Sequence, residues 1–193
     1  MKTPNELIGK HYTDYFGRGH NVFELDPPAE ATDRVPGLRM LEVTAGKRVD
    51  VVSYFTLGCW EAVQSLGIGC EFVLSAREPN AIHLASRAAA AIAHCGTLDG
   101  RLDRGSVVQL EKPWLPGSEC DRLLVTLPYP YGPELEYCRW KFRGQNNAAR
   151  VLWLMPITAG EAAMVALDGV EALERHFEEV GVNFADPARS SAV

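Results

Sequence analysis

Cys59, which is followed by Trp60, is the residue of this sequence whose setting comes nearest to that of a catalytic nucleophile. A nucleophilic thiol needs a base that takes its proton and donors that stabilise an oxyanion. The preceding residues, Ser53 to Thr56, include no glutamine to act as such a donor, and the candidate base His176 falls within an amphipathic helix pattern. We therefore predict a packing role for Cys59 and no catalytic residue. An enzyme that pairs Cys59 with His94 or His176 is the alternative.

Metal and nucleotide sites lack their usual sequence patterns. A zinc ion held by Cys59, Cys70, His94 and Cys95 would need ligands from separate elements, and the sequence has no CxxC pair. It also has no GxGxxG, P-loop, HExxH or GxSxG motif. We predict no metal and no cofactor, although carboxylates that are distant in sequence can still meet in a fold as an acid/base pair.

The segment Leu127–Tyr137 combines three prolines with Tyr129 and Tyr131. A rigid loop that presents large aromatic side chains can anchor a protein interface, because little conformational entropy is lost on binding. Trp60 also lies beside a predicted loop. We expect Trp60, Tyr129 and Tyr131 to contact a protein partner; the alternative is that these rings cover the end of a sheet.

The charge of the chain favours a protein partner over nucleic acid or a membrane. Nineteen Lys and Arg against 25 Asp and Glu give a net charge of −6, which opposes the phosphate backbone and anionic lipid. Arg139, Lys141 and Arg143 beside Tyr137 would suit phosphate contact and base stacking. With this net charge we interpret them as a solvated strand face. The charge suits a basic protein as the partner, and we expect no nucleic acid and no membrane; no oligomeric state is indicated.

Cysteine usage and the N-terminus indicate a cytoplasmic protein. The five cysteines are widely spaced, which is not the pattern of a disulfide framework. Pro4 and Glu6 interrupt the N-terminal segment, and the longest apolar run, residues 88–93, is far shorter than the ~20 residues that span a bilayer. We expect reduced thiols.

Residue patterns predict an α+β fold in one domain, with a central mixed, largely antiparallel sheet flanked by helices. Residues 135–143 alternate, with Cys138, Trp140 and Phe142 on one face, and the turn sequence GQNN should join this strand to the next as a hairpin. The predicted strands are residues 38–44, 49–57, 71–76, 106–110, 122–127, 135–143 and 149–155.

Helices are predicted at both ends and in the middle of the chain. Residues 4–16 have helical apolar spacing, residues 80–96 are alanine-rich, and Thr158 with Glu161 forms a capping box that begins a kinked or divided helix ending at Gly181. The stretch 17–25 is expected to be a loop, and three prolines in residues 26–37 predict irregular structure there. We therefore divide the chain into an N-terminal helix with its connector (1–37) and the main domain (38–193).

The C-terminal segment resembles the suppressor of fused domain family in its bacterial form. That family closes with an apolar strand, Pro-Ile-Thr, a helix, a Gly-x-Glu-Ala-Leu step and Asp-Pro-x-Arg-Ser. The corresponding residues here are Val151–Thr158, Gly169–Leu173 and Asp186–Ser190. Weaker similarity extends through residues 71–74, 54–58 and 12–17.

This resemblance implies a mixed sheet with packed helices, no known catalytic residues and a role in protein binding. The animal member holds a peptide of a zinc-finger transcription factor between two domains, and bacterial members are similar to immunity proteins that neutralise toxins. Tyr54 matches an aromatic position near the animal protein's peptide site, and Glu61 is the nearest acidic counterpart. We expect a non-enzymatic immunity protein that binds a toxin through Tyr54, Trp60, Glu61, Tyr129 and Tyr131; a regulatory or scaffold module is the alternative.

Overall fold

A sheet of eight strands lies at the centre of the computed structural model, which describes residues 2–27, 29–47, 49–63, 69–76, 102–142 and 144–193. The strands are β1 (Val22–Leu25), β2 (Arg39–Val43), β3 (Val52–Leu57), β4 (Cys70–Ala76), β5 (Val107–Gln109), β6 (Cys120–Thr126), β7 (Tyr137–Phe142) and β8 (Gln145–Thr158). The helices are α1 (Pro4–Phe16), α2 (Ala29–Arg34), α3 (Cys59–Val63), α4 (Pro133–Glu136), α5 (Ala159–Asp168) and α6 (Val170–Val180). Hydrogen-bonded neighbours follow the order β1–β2–β3–β4–β8–β6–β5, and β7 pairs with β8.

The long strand β8 organises the sheet, because three other strands pair with it. β4 runs parallel to β8, with Val73 beside Trp153. β7 is antiparallel to the first half of β8, and β6 is antiparallel to its second half. The remaining pairings in the described sheet are antiparallel. The predicted α+β class, with a mixed and largely antiparallel sheet, is confirmed.

The predicted hairpin between β7 and β8 is present, but its turn is shorter than GQNN. Phe142 pairs with Gln145 and Lys141 pairs with Asn146, so that β8 begins at Gln145. Pairing with β7 provides backbone partners for the asparagines, and this outweighs their preference for turns.

Each face of the sheet is covered by its own apolar cluster, because successive side chains of a strand point to opposite faces. We call them the Tyr54 face, which includes Tyr54 and Phe72, and the Phe55 face, which includes Phe55 and Trp153. Helices α1, α4 and α6 contribute buried side chains to the Phe55 face: Ile8, Tyr12, Phe16, Leu135, Leu173 and Phe177. The N-terminal helix therefore packs on the same core as the rest of the chain.

The N-terminal segment matches the prediction for α1 and departs from it afterwards. A capping box begins α1, since Thr3 N donates to Glu6 Oε2 (2.6 Å) and Glu6 N donates to Thr3 Oγ1 (3.2 Å). The predicted loop at 17–25 and irregular structure at 26–37 were wrong, because β1 and α2 form there. Pairing with β2 satisfies the backbone of β1. Pro27 and Pro36 flank α2 instead of interrupting it.

The C-terminal helices begin and divide where the residue pattern indicates. Thr158 N donates to Glu161 Oε2 (2.9 Å), and Glu161 N donates to Thr158 Oγ1 (3.3 Å), which confirms the capping box. Gly169, with φ +87°, separates α5 from α6. The segment is therefore two helices, and α6 ends at Gly181 as predicted.

The residues after α6 fold back onto the start of α5. The fully buried Glu161 binds Arg189 through two hydrogen bonds, Nη1 to Oε1 (2.5 Å) and Nη2 to Oε2 (2.8 Å). Ala192 N also donates to Glu161 Oε1 (3.0 Å), and Arg189 Nη2 donates to Pro156 O (2.9 Å). A charge pair thus joins the helix that follows the Pro-Ile-Thr segment to the Asp-Pro-x-Arg-Ser segment.

The helix predicted over residues 80–96 lies outside the described residues. Within the described part of the chain, no helix combines the length and the apolar character needed to cross a bilayer.

Candidate functional site

A buried carboxylate fixes the turn that carries Trp60. Glu71 of β4 is fully buried. Its Oε1 accepts hydrogen bonds from Gly58 N (2.9 Å) and Trp60 N (3.0 Å). Its Oε2 accepts from Thr56 Oγ1 (2.6 Å) and Cys59 N (3.3 Å). Glu71 therefore satisfies amides at the start of α3 that have no partner within that helix.

We call residues 58–61 and Glu71 the α3 corner. Burial raises the pKa of Glu71 from 4.5 to about 7, while the hydrogen bonds from Thr56 and from the three backbone amides act to lower it. Neutral donors surround this carboxyl group, so its ionised form has four hydrogen bonds but pays a large desolvation cost.

Trp60 is the structural anchor of the α3 corner. Its side chain is only 7% exposed, its Nε1 donates to Ala148 O (2.9 Å), and its ring meets Trp140 edge to face at 5.1 Å. Gly69 lies so close to this ring that an added Cβ would overlap the indole. The next residue, Glu61, is exposed. The corner therefore holds a buried aromatic side chain and presents its acidic neighbour to solvent.

The loop between β6 and β7 likewise carries one buried tyrosine, Tyr131, and one exposed tyrosine, Tyr129. Tyr131 is buried on the Phe55 face, where its hydroxyl donates to Ser53 Oγ (2.6 Å) and lies 2.6 Å from Ser75 Oγ. Its ring contacts Phe55 at 5.8 Å, and its carbonyl oxygen accepts a hydrogen bond from the Tyr15 hydroxyl. Burial raises the pKa of Tyr131 to about 12, so this hydroxyl remains neutral.

Tyr129 is the exposed member of the pair, with 52% of its surface accessible. Its hydroxyl donates to Glu174 Oε2 (3.2 Å). Glu174 of α6 also accepts a hydrogen bond from Thr126 Oγ1 (2.5 Å) and forms an ion pair with Arg104. Partial burial and the Glu174 carboxylate raise the pKa of Tyr129. The phenol is thus held at one end while its ring faces solvent.

The structure distributes the predicted partner-binding residues over separate places. Tyr131 contacts Ser53 at the start of β3, whereas Trp60 follows the end of that strand. The four residue steps from Ser53 to Leu57 span about 13 Å in an extended strand. Tyr54 lies on the opposite face of the sheet, 1% exposed, and burial and a hydrogen bond with Glu42 raise its pKa. Trp60 and Tyr131 share the Phe55 face; Tyr54 does not.

The residues of the enzymatic alternative are placed apart where the structure describes them. Cys59 is buried on the Tyr54 face, while His176 belongs to α6 and its Nε2 lies 2.8 Å from Ala192 O. Cys59, Cys70, Cys120 and Cys138 are buried and not joined by disulfides. His94 and Cys95 lie outside the described residues.

The basic strand face has the predicted alternation. Arg139 and Lys141 are exposed and Cys138 and Trp140 are buried, while the guanidinium of Arg139 stacks 4.7 Å from the Tyr137 ring centre. Arg143 lies outside the described residues.

Two positioning residues were not found from the sequence. Glu71 interrupts an otherwise apolar strand run, and a lone carboxylate in such a run is a signal of a buried polar partner. Glu174 lies in a helix with several other acidic residues, and no local pattern distinguishes it.

Comparison with known proteins gives a family match and a set of similar folds. The family model described as Suppressor of fused protein (SUFU) matches residues 32–190. Comparison with curated proteins gives no match. The structure is similar to that of a SUFU homologue from Neisseria gonorrhoeae, with a TM-score of 0.74, 24% identity, and coverage of 98% of this chain and 96% of that one.

Two further solved structures have the same fold at lower identity. A chain of the Sufu–Fu complex has a TM-score of 0.69 and 13% identity, covering 96% of this chain and 90% of that one. Drosophila Suppressor of Fused has the same TM-score and identity, but only 50% of its length is covered.

Proposed function

Because the chain belongs to the suppressor of fused family, we propose that it is a bacterial, cytoplasmic immunity protein that binds a cognate toxin and neutralises it by covering its surface. In this proposal the chain acts by binding its partner and has no catalytic activity. A protein of the same fold has been crystallised in a complex with Fu, which supports a binding function.

The observation that carries the proposal is the setting of Tyr129. Its ring is 52% exposed, yet Glu174 holds its hydroxyl, so binding would cost little side-chain entropy. Helix α6 beside it exposes Glu171, Glu178 and Glu179. A fixed aromatic ring bordered by carboxylates suits a basic protein surface, in which aromatic anchors supply affinity and charges speed the encounter.

The other predicted residues have distinct roles in this proposal. Glu61, exposed on the α3 corner, is a second direct contact. Trp60 and Tyr131 are buried and hold Glu61 and Tyr129 in place. Tyr54 acts from the opposite face of the sheet, where it supports the pairing of β2 with β3.

Affinity capture from the native cell, followed by mass spectrometry and measurement of the affinity, tests the proposal. We expect a toxin as the main partner, encoded beside this chain, and we expect Tyr129→Ala to weaken its binding by about 2 kcal/mol or more, roughly 30-fold. Phe23→Ala is the matched control, because Phe23 is 51% exposed but lies on β1. A partner that is not a toxin would favour a regulatory or scaffold module. Equal affinity of the Tyr129 variant and the wild type would remove Tyr129 from the interface.

A further inference from the structure

A groove with Trp153 in its wall runs along the Phe55 face beside Tyr129. It has two parts, with volumes of about 560 Å³ and about 410 Å³, and both parts are lined by Pro130, Trp153 and Phe184. We call it the Trp153 groove. Volumes of this size hold a small ligand or a few side chains of a protein segment.

The walls of the groove come from three loops and from α6. The larger part lies between residues 46, 47 and 49–51, in the connection from β2 to β3, and residues 181–185, which follow α6. The smaller part is bounded by Tyr129, Glu174 and Glu178. Three connecting loops and one face of α6 thus bound two adjoining cavities next to the exposed Tyr129 ring.

The aromatic wall has an unused hydrogen-bond donor. Trp153 is 3% exposed, and its ring meets Phe184 edge to face at 5.7 Å. Its Nε1 is buried and has no hydrogen-bond partner in the described part of the chain. An unpaired buried donor destabilises a fold, and an acceptor brought by a ligand removes that cost.

The charges along the groove favour a basic occupant. Exposed carboxylates lie in both parts, Asp50 in the larger and Glu178 in the smaller. Lys47 lines the larger part, while Glu174 is already paired with Arg104. Carboxylates thus outnumber cations along the groove, and the net charge of −6 for the chain has the same sign, which favours a cationic occupant.

We propose that the Trp153 groove receives an extended segment of a basic protein partner. An apolar side chain of the segment packs against Trp153 and Phe184, lysine or arginine side chains reach Asp50 and Glu178, and a backbone carbonyl oxygen accepts the hydrogen bond of Trp153 Nε1. This inference rests on the proposed function, and it identifies the part of the partner that enters this site.

A peptide probe tests the groove directly. We expect a fluorescent decapeptide of alternating arginine and leucine to bind the full chain, and a glutamate–leucine decapeptide not to bind. Glu178→Lys should weaken binding of the first peptide by about tenfold or more. Glu179→Lys has the same charge change on an exposed α6 residue that does not line the groove, and should weaken it by less than about threefold. Equal losses in the two variants, or no binding, would overturn the proposal.

The indole resonance of Trp153 provides a second readout. In ¹⁵N-labelled protein the Trp153 Nε1–H signal, assigned as the one missing in Trp153→Phe, should move when the arginine–leucine peptide is added. A stationary signal at saturating peptide contradicts the proposed hydrogen bond. A signal that instead changes with protein concentration alone would assign the groove to a second copy of the chain.

Capture of the native partner separates this inference from the proposed function. If a toxin is captured equally by the wild type, Glu178→Lys and Glu179→Lys, the groove proposal fails and the immunity function stands. If the peptide binds the groove but the main partner in the cell is not a toxin, the immunity function fails and the groove remains a site for basic segments.

Discussion

Glu71 and Glu161 are both fully buried carboxylates that accept hydrogen bonds from the start of a helix, yet their pKa values move in opposite directions. Burial raises the pKa of Glu71 to about 7, because the hydrogen bonds that oppose it come from neutral groups. Burial acts on Glu161 in the same sense, but hydrogen bonds from Arg189 and from the amides of Ala192 and Thr158 lower its pKa. The two pKa values differ in direction because Glu161 has a cationic partner, Arg189, whereas the donors to Glu71 are neutral.

The two sites also differ in what they hold. Glu71 organises the α3 corner through backbone amides, so its effect is confined to one turn. Glu161 connects two segments, since Arg189 lies in the chain after α6. A buried carboxylate with neutral donors shapes a local surface, whereas one with a guanidinium fastens distant parts of the fold.

The largest effect is expected when Arg189 is replaced. Arg189→Met leaves Glu161 buried without its cation, which should lower the free energy of unfolding by about 3–5 kcal/mol in urea titrations. Arg175→Met, an exposed position on α6, is the control and should change it by less than about 0.5 kcal/mol. Adding Glu161→Gln to Arg189→Met should recover part of the loss. A double variant less stable than Arg189→Met would mean that the buried charge is not the cause.

A smaller change in stability is expected when the pH is varied, and it has opposite signs for Glu71 and Glu161. The folded state holds the Glu71 proton more tightly than the unfolded state. The contribution of Glu71 to the free energy of unfolding is therefore greatest below pH 4.5 and is lost as the pH rises through about 7. This shift corresponds to roughly 3 kcal/mol of unfolding free energy. The Glu161 contribution is present above pH 4.5 and is lost as the pH falls below it.

Urea titrations of the wild type and Glu71→Gln across this pH range measure the Glu71 contribution. The stability advantage of the wild type over the variant should shrink from about pH 4.5 to about pH 7. Parallel curves for the two proteins would show that Glu71 does not titrate in this window.

The smallest effect on stability is expected from the Thr56 hydroxyl, which donates to Glu71 in the α3 corner. Thr56→Val removes a hydroxyl that donates to Glu71 Oε2 and accepts from Phe72 N (2.8 Å), and it should cost about 2 kcal/mol of unfolding free energy. Thr13→Val makes the same change on the exposed side of α1, and its effect should stay below about 0.5 kcal/mol. A Thr56 variant as stable as the Thr13 variant would indicate that the three amides alone hold the carboxylate.

Sequence patterns identify the elements of this fold better than their arrangement. The two capping boxes, at Thr3 and at Thr158, depend on residues three positions apart and are readable locally. β1 was missed because its four residues gain their structure from pairing with β2. The parallel pairing of β4 with β8 joins distant parts of the chain, and no local pattern reports such a contact.

The residues of the candidate site are also only partly predictable from local sequence patterns. Composition selects Trp60, Tyr129 and Tyr131 as large amphipathic side chains, but it does not distinguish the buried Trp60 and Tyr131 from the exposed Tyr129. That division depends on partners from other elements, Ala148 for Trp60 and Ser53 for Tyr131. The Trp153 groove is likewise assembled from loops that are far apart in sequence.

The parallel neighbour of β4 has a consequence for synthesis on the ribosome. β1 to β4 emerge first and form an antiparallel meander whose β4 edge lacks its neighbour until β8 has been translated. During that interval the nascent chain exposes an apolar strand edge, which is a site for aggregation. We expect the partly synthesised chain to depend on ribosome-associated chaperones until β8 has left the ribosome and paired with β4.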